Sequence, residues 1–311
     1  MIAGLGLLAV SAVILIAGAE VFAENAAAAA RGLGITVFGA AFLLAGAEPE
    51  EMITTVIASG RHRPGLAAGD AIGANLTMLT LVLGLAALAR PLPFGGRVRG
   101  YAIWSAVAGG LAALAVAAGR IGRWEGGLLL AAYLAGVALL WWRERTPPVI
   151  GEAAEATEAG REGGSRPAVL GLALALGGVA LMAAGGWLAV GGAGRVVAAL
   201  RLADSAVGLT LLALATTAEL FALAWAAMRR GVTEIAVAGV VGSVAYNATA
   251  SLGAAALVRP LATGGILAPA IAAAILSAAL LAVTPGGRLT RQAGALLVIG
   301  YAGWVTAVLL R

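Results

Sequence analysis

The chain has no cysteine, a single histidine and, among its twenty basic residues, no lysine. Without cysteine there is no disulfide framework, no thiolate metal site and no thiol chemistry. One imidazole, His62, cannot build a histidine-based metal cluster, and it sits in the loop Arg61-His62-Arg63. Charge is scarce too: Asp, Glu and Arg make up 11% of the 311 residues, roughly half the share a soluble protein carries. Only two aspartates exist, Asp70 and Asp204, and Asp204 falls at a predicted span edge. A proteolytic aspartate pair is therefore excluded, and the chain reads as a non-enzyme with no cofactor. The net charge of +5 comes from arginines scattered among short loops. Such a pattern fits topology signals at a lipid bilayer and no nucleic-acid patch.

What is abundant is apolar: 61% hydrophobic residues and a mean hydropathy of +1.00. At about 20 residues per crossing, apolar runs predict spans at 3–24, 33–59, 65–89, 98–119, 124–142, 168–190, 203–228, 234–258, 263–284 and 289–310. Residues 143–167 are polar and broken by Gly and Pro, with Glu152, Glu155, Glu158 and Glu162 among them, and read as a hydrophilic linker. Ala17-Gly18-Ala19 resembles a signal-cleavage site, but no basic stretch precedes the first apolar run, which is kept as a span.

A shift of 169 residues superimposes the two sides of that linker. It places Gly39 on Gly208, Glu50 on Glu219, Gly73 on Gly242, Gly84 on Gly253 and Arg90-Pro91-Leu92 on Arg259-Pro260-Leu261, without a gap. Five spans per half is odd, so the second half enters the membrane upside down. The predicted fold is an all-α polytopic membrane protein of ten helices in two inverted-topology repeats. The repeats are 1–142 and 168–311, separated by the 143–167 linker. Arginine placement puts the N-terminus outside and the linker in the cytoplasm. The arginine-only, Ala- and Gly-rich composition fits a bacterial inner membrane. Nothing in the sequence sets an oligomeric state.

Ionisable groups inside an apolar span are functional-site candidates by default. The second span carries Glu48-Pro49-Glu50-Glu51, and the third carries Asp70. Pro49 removes a helix donor and pushes against the carbonyl of Ala45, which frees backbone oxygen at membrane depth. Glu50 and Thr54 share a helix face, as do Glu51 and Thr54 or Thr55. Asp70, Gly73 and Thr77 form another face. The second half offers Thr216, Thr217 and Glu219, then Ser243 and Asn247, and holds Ala218 and Gly239 where Pro49 and Asp70 would be. The expected site is therefore lopsided in charge. An all-oxygen set suits Ca²⁺, Mg²⁺, Mn²⁺ or Na⁺. Four carboxyls cannot all stay ionised at close range, so a group protonated without cargo and ionised with it would exchange protons for cations.

Gly46-Ala47-Glu48-Pro49-Glu50-Glu51 and Ala215-Thr216-Thr217-Ala218-Glu219 resemble the first signature of the cation/Ca²⁺ antiporter superfamily, which includes sodium/calcium and proton/calcium exchangers. Gly69-Asp70-Ala71-Ile72-Gly73-Ala74-Asn75 and Ala238-Gly239-Val240-Val241-Gly242-Ser243-Val244 resemble its second signature. The resemblance implies alternating access at a midplane site, with Glu50 and Glu219 as central ligands. Glu51, Glu48 and Asp70 are then further ligands or proton carriers, and Thr54, Asn75, Thr77, Thr216, Thr217, Ser243 and Asn247 neutral ones. Internal register favours Glu50 over Glu51 as the main ligand; the family's usual motif spacing favours Glu51. The expected activity is antiport of Ca²⁺ or another divalent against H⁺ or Na⁺. A monovalent Na⁺(K⁺)/H⁺ antiporter and a transport-inactive cation sensor are the alternatives.

Overall fold

In hydrocarbon a backbone must satisfy its own hydrogen bonds, and the apolar runs of this chain do so as helices. The computed structural model describes residues 1–32, 48–144, 167–230, 233–283 and 287–310. The first part of the predicted second span, with Gly39, Ala45, Gly46 and Ala47, lies outside them, as does most of the linker. Among the described residues seven helices are long and apolar enough to cross a membrane.

In chain order the elements begin with α1 (Ile2–Gly32) and α2 (Pro49–Gly60). Next comes α3, which runs Pro64–Leu76, passes through a π turn at Thr77–Val82 and ends with Leu83–Ala89. Strand β1 (Leu92–Pro93), α4 (Gly96–Ala117), β2 (Arg120–Ile121) and α5 (Arg123–Glu144) follow. Beyond the linker are α6 (Ala168–Leu200) and α7, built of Asp204–Val207, a π turn at Gly208–Leu212 and Ala213–Thr216. Helix α8 (Ala218–Arg230) precedes α9, which runs Thr233–Tyr246, a π turn at Asn247–Ser251 and Leu252–Val258. The chain closes with β3 (Leu261–Ala262), α10 (Leu267–Val283), β4 (Arg288–Leu289) and α11 (Arg291–Leu309).

Burial sorts these helices. The apolar windows of α3 and α9 are 83% and 89% buried, against 11–39% for the other five candidate spans. The two halves thus place their third and eighth predicted spans at the centre, and the other five candidate spans are mostly exposed. Small residues allow this packing, since membrane helices gain by close backbone approach. A Cβ on Gly73 would sit 2.4 Å from the Leu209 carbonyl oxygen, and one on Gly208 2.7 Å from that of Leu66, so α3 and α7 touch backbone to backbone. On α1 and α6, Gly4 faces Gly192 and Gly18 faces Gly178 in an antiparallel crossing.

The contacts come in mirrored pairs. Strand β1 pairs antiparallel with β4, and β2 with β3. The Arg123 guanidinium donates to the terminal carbonyls of Leu257 and Val258, and Arg291 donates to that of Ala89, placing cations where helix C-termini are negative. Gly126 packs on the Gly253 carbonyl and Gly294 on that of Gly84. Within the helices, Thr80 back-bonds to the Leu76 carbonyl and Thr249 to that of Ala245. Each pair falls within one residue of the 169 offset.

Candidate cation site

Helices α2 and α8 both start at the site. Glu48 has φ −101° and ψ 80°, a non-helical conformation expected before proline, and Pro49 opens α2. On the other side the chain breaks at Thr217 and restarts as α8 at Ala218, with no proline present. The N-terminal turns of α2 and α8 therefore carry Glu50, Glu51 and Glu219, where the helix dipole favours negative charge. A helix starts at Pro49 as the proline predicts, while the stretch before Glu48 lies outside the described residues; on the other side the chain breaks at Thr217 without a proline.

Glu48, Glu50, Glu51 and Asp70 are all at most 2% exposed. Among the described residues the one ion pair is Arg63 with Asp204, at 3.0 Å, away from this cluster. Glu48 Oε1, Glu50 Oε2, both carboxyl oxygens of Glu51 and Asp70 Oδ2 are buried without a hydrogen-bond partner. Leaving so many acceptors unpaired is costly unless something binds them.

Two groupings emerge. In one, Asn247 Nδ2 donates to Glu48 Oε2 at 3.3 Å while Ser251 donates to Asn247 Oδ1 at 3.1 Å. Asn247 is thereby oriented with its amide N–H₂ toward the carboxylate. Ser243 flanks the same carboxylate, and Glu50 lies within electrostatic reach of Glu48 and Glu219. In the other, the Thr216 hydroxyl stands 3.2 Å from Asp70 Oδ1, and Glu51 lies beside Asp70. Glu48 and Glu50 couple electrostatically to Glu51 and so connect the two groupings. Among the described residues no three acidic side chains converge closely enough to cage an ion in this arrangement.

The sodium/calcium exchanger protein family model matches residues 3–142 and 170–310. The chain belongs to this family. The protein named "Putative antiporter CaxA" of Alkalimonas amylolytica is 27% identical over 307 residues, covering 95% of each chain. The inner membrane protein YrbG of Escherichia coli (strain K12) is 28% identical over 275 residues, 84% of this chain and 81% of that one. A structure of the sodium-calcium exchanger NCX_Mj superimposes with a TM-score of 0.65 at 23% identity, covering 98% of each chain, and shows the shared fold. The protein is thus an integral membrane protein of the exchanger family.

The other expected ligands of this exchanger-family chain are found in different states. Thr54 is buried with its hydroxyl unpartnered, beside Gly186 of α6. Asn75 is buried with both amide atoms unpartnered. Thr217 and Ser243 spend their hydroxyls on the carbonyls of Ala213 and Gly239. Thr77 donates to the Gly73 carbonyl at 2.9 Å. Glu219 is only half-buried, unlike Glu50. Sequence reasoning missed Ser251, one helical turn beyond Asn247, and that i,i+4 spacing could have found it. It also missed Tyr246, and Tyr133 and Tyr301, which an offset of 168 residues superimposes.

Proposed function

We propose that this exchanger-family protein is a secondary active antiporter that exchanges Ca²⁺ or another divalent for H⁺ or Na⁺ by alternating access. Its ten spans form two inverted repeats, 1–142 and 168–311, joined by a cytoplasmic 143–167 linker, with the N-terminus outside. The setting is a bacterial inner membrane. The mirrored strand pairs, arginine caps and glycine crossings support the repeat.

One observation carries the functional reading. Four carboxyl groups lie fully buried among apolar helices, with carboxyl oxygens left without partners and, among the described residues, no ion pair to an arginine. A structural role would supply a counter-charge; a transport site leaves that place to the cargo. Glu50 and Glu219 act as the paired ligands, one per half. Glu48, Glu51 and Asp70 adjust the charge, and Thr54, Asn75, Thr77, Thr216, Thr217, Ser243 and Asn247 supply neutral oxygens.

A second reading, monovalent Na⁺(K⁺)/H⁺ exchange, draws on the half-buried Glu219 and the neutral Asn247, which give the second half less charge to hold a divalent. Flux in reconstituted vesicles separates the readings. Ca²⁺ or Mn²⁺ uptake driven by an imposed H⁺ or Na⁺ gradient, abolished by Glu50→Gln and by Glu219→Gln, is the expected result. Na⁺ that dissipates a pH gradient while no divalent moves would transfer the assignment to the monovalent exchanger. No flux of any cation through folded protein would overturn both.

A further inference from the structure

Tyrosine is rare here, with four in 311 residues, and two of them occupy matching places. Gly119-Arg120-Ile121-Gly122-Arg123 and Gly287-Arg288-Leu289-Thr290-Arg291 open α5 and α11 with the same Gly-Arg-apolar-x-Arg pattern, 168 residues apart. The same step carries Tyr133 onto Tyr301. Both helices are mostly exposed, 33% and 11% buried over their apolar windows, yet Tyr133 and Tyr301 are only 7% and 8% exposed. These two side chains are buried on helices that are otherwise mostly exposed.

What they touch is also matched. The Tyr133 ring meets Tyr246 edge-on, with centroids 5.3 Å apart and planes at 78°. The Tyr301 hydroxyl lies 3.3 Å from Thr77 Oγ1. Thr77 already donates to the Gly73 carbonyl, so its oxygen accepts here and Tyr301 donates. Tyr246 and Thr77 are themselves 169 residues apart, and both stand where a π turn begins, at Asn247–Ser251 and Thr77–Val82. A π turn is a rare, poorly self-supporting geometry that recurs at functional sites, and it changes the rotation of α3 and α9 between the residues before it and those after it. Around Tyr133 stand Glu48 and, through the Tyr246 hydroxyl at 3.5 Å, the Met52 sulfur that follows Glu51.

We propose that Tyr133 and Tyr301 are a matched pair of positioning residues. Each reaches from the last helix of one half and holds the π turn of the buried helix of the other half, fixing the rotation at which its polar side chains face the cation site. The consequence for cation affinity rests on the exchange reading above; the consequence for the turns does not.

The test uses Tyr301→Phe, which removes the hydroxyl and keeps the ring that packs on Trp304 at 5.7 Å, together with Thr77→Val, their double variant, and Tyr133→Leu. Amide hydrogen exchange is measured on purified, chelator-treated protein. Tyr301→Phe should speed exchange about fivefold, the factor one hydrogen bond is worth, within 77–83 alone. Tyr133→Leu should do the same within 247–252, with the thermal midpoint nearly unchanged. In vesicles both should raise the half-saturating cation concentration several-fold while the maximal rate stays within about twofold, the signature of lost ground-state positioning. Tyr301→Phe should add nothing in a Thr77→Val background. Unchanged exchange at both turns, or acceleration spread over the whole chain with a lowered midpoint, overturns the proposal. A wild type that moves no cation sinks the exchange reading, and the amide measurement still decides the tyrosines.

Discussion

Where α2 begins, Glu48, Pro49, Glu50 and Glu51 bring three carboxyls and a proline to the centre of the molecule; where α8 begins, Thr217, Ala218, Glu219 and Leu220 bring one carboxyl and no proline. The adjoining buried helices differ in the same sense, with Asp70 on α3 and Gly239 at the matching place on α9. Around this unequal chemistry the frame is nearly equal: strand bridges, arginine caps, glycine crossings and back-bonded threonines each occur twice. Scaffold and charge are therefore under separate control. The break at Thr217 makes the same point for geometry. Proline suits the first position of a helix, but the second half breaks without it, so the break belongs to the packing of the duplicated frame.

The sharpest way to break the comparison is to remove charge from the rich side. Glu50→Gln or Asp70→Asn should each lower exchange by ~100-fold or more, at the upper end of what supporting groups of a cation site cost, in gradient-driven vesicle flux. Equal tolerance of both substitutions would mean that the first half is not the charged pole. Next in size is Thr216→Val. Thr216 lies in the second half and reaches Asp70 in the first, so its loss should cost about 10-fold in half-saturating concentration, as an outer partner of a ligand does. Competition titrations on the same vesicles would measure it. An unaltered value would show that the two poles do not communicate through this hydroxyl.

Much of this was legible in the sequence, for identifiable reasons. Apolar run length located the seven long apolar helices found among the described residues, because hydrocarbon thickness admits few alternatives. The 169 register located Glu219 by its match to Glu50. Charge in an apolar run marked Glu48, Glu50, Glu51 and Asp70, all of which are buried together. The π turns at Thr77–Val82, Gly208–Leu212 and Asn247–Ser251 were not legible, since no residue type forces a π turn as proline forces a break. Nor was the half-buried state of Glu219, which depends on neighbours far away in sequence. The tyrosine pair was hidden by a one-residue slip, from 169 to 168, after the fourth predicted span of each half.

A gain of charge on the poor side sharpens the contrast instead of erasing it. Asn247 now donates to Glu48 Oε2 at 3.3 Å. Asn247→Asp would set two carboxyls at that separation, where like charges cannot both persist without a cation or a shared proton. Divalent binding should strengthen relative to Na⁺ by about 10-fold at neutral pH, roughly one favourable buried charge contact, and that gain should vanish in acid as the added group protonates. Competition between Ca²⁺ and Na⁺ at two pH values reads both effects. A variant that loses selectivity at neutral pH would place Asn247 outside the cation's path.

The smallest effects test the equal part of the comparison. Arg123 caps α9 through the carbonyls of Leu257 and Val258, and Arg291 caps α3 through that of Ala89. All three hydrogen bonds are exposed, so each cap should contribute only about 0.5–1 kcal/mol. If the scaffold is duplicated as its contacts indicate, Arg123→Ala and Arg291→Ala should lower unfolding stability by similar amounts. With no partner in common, their effects should add in the double variant, and neither should change which cation the vesicles prefer. A large imbalance between the two would show that the frame is lopsided as well as the charge. In that case the unequal carboxyls would have to be read as part of an asymmetric scaffold, and the mirrored contacts would lose their weight as a guide to where the second half of the site lies.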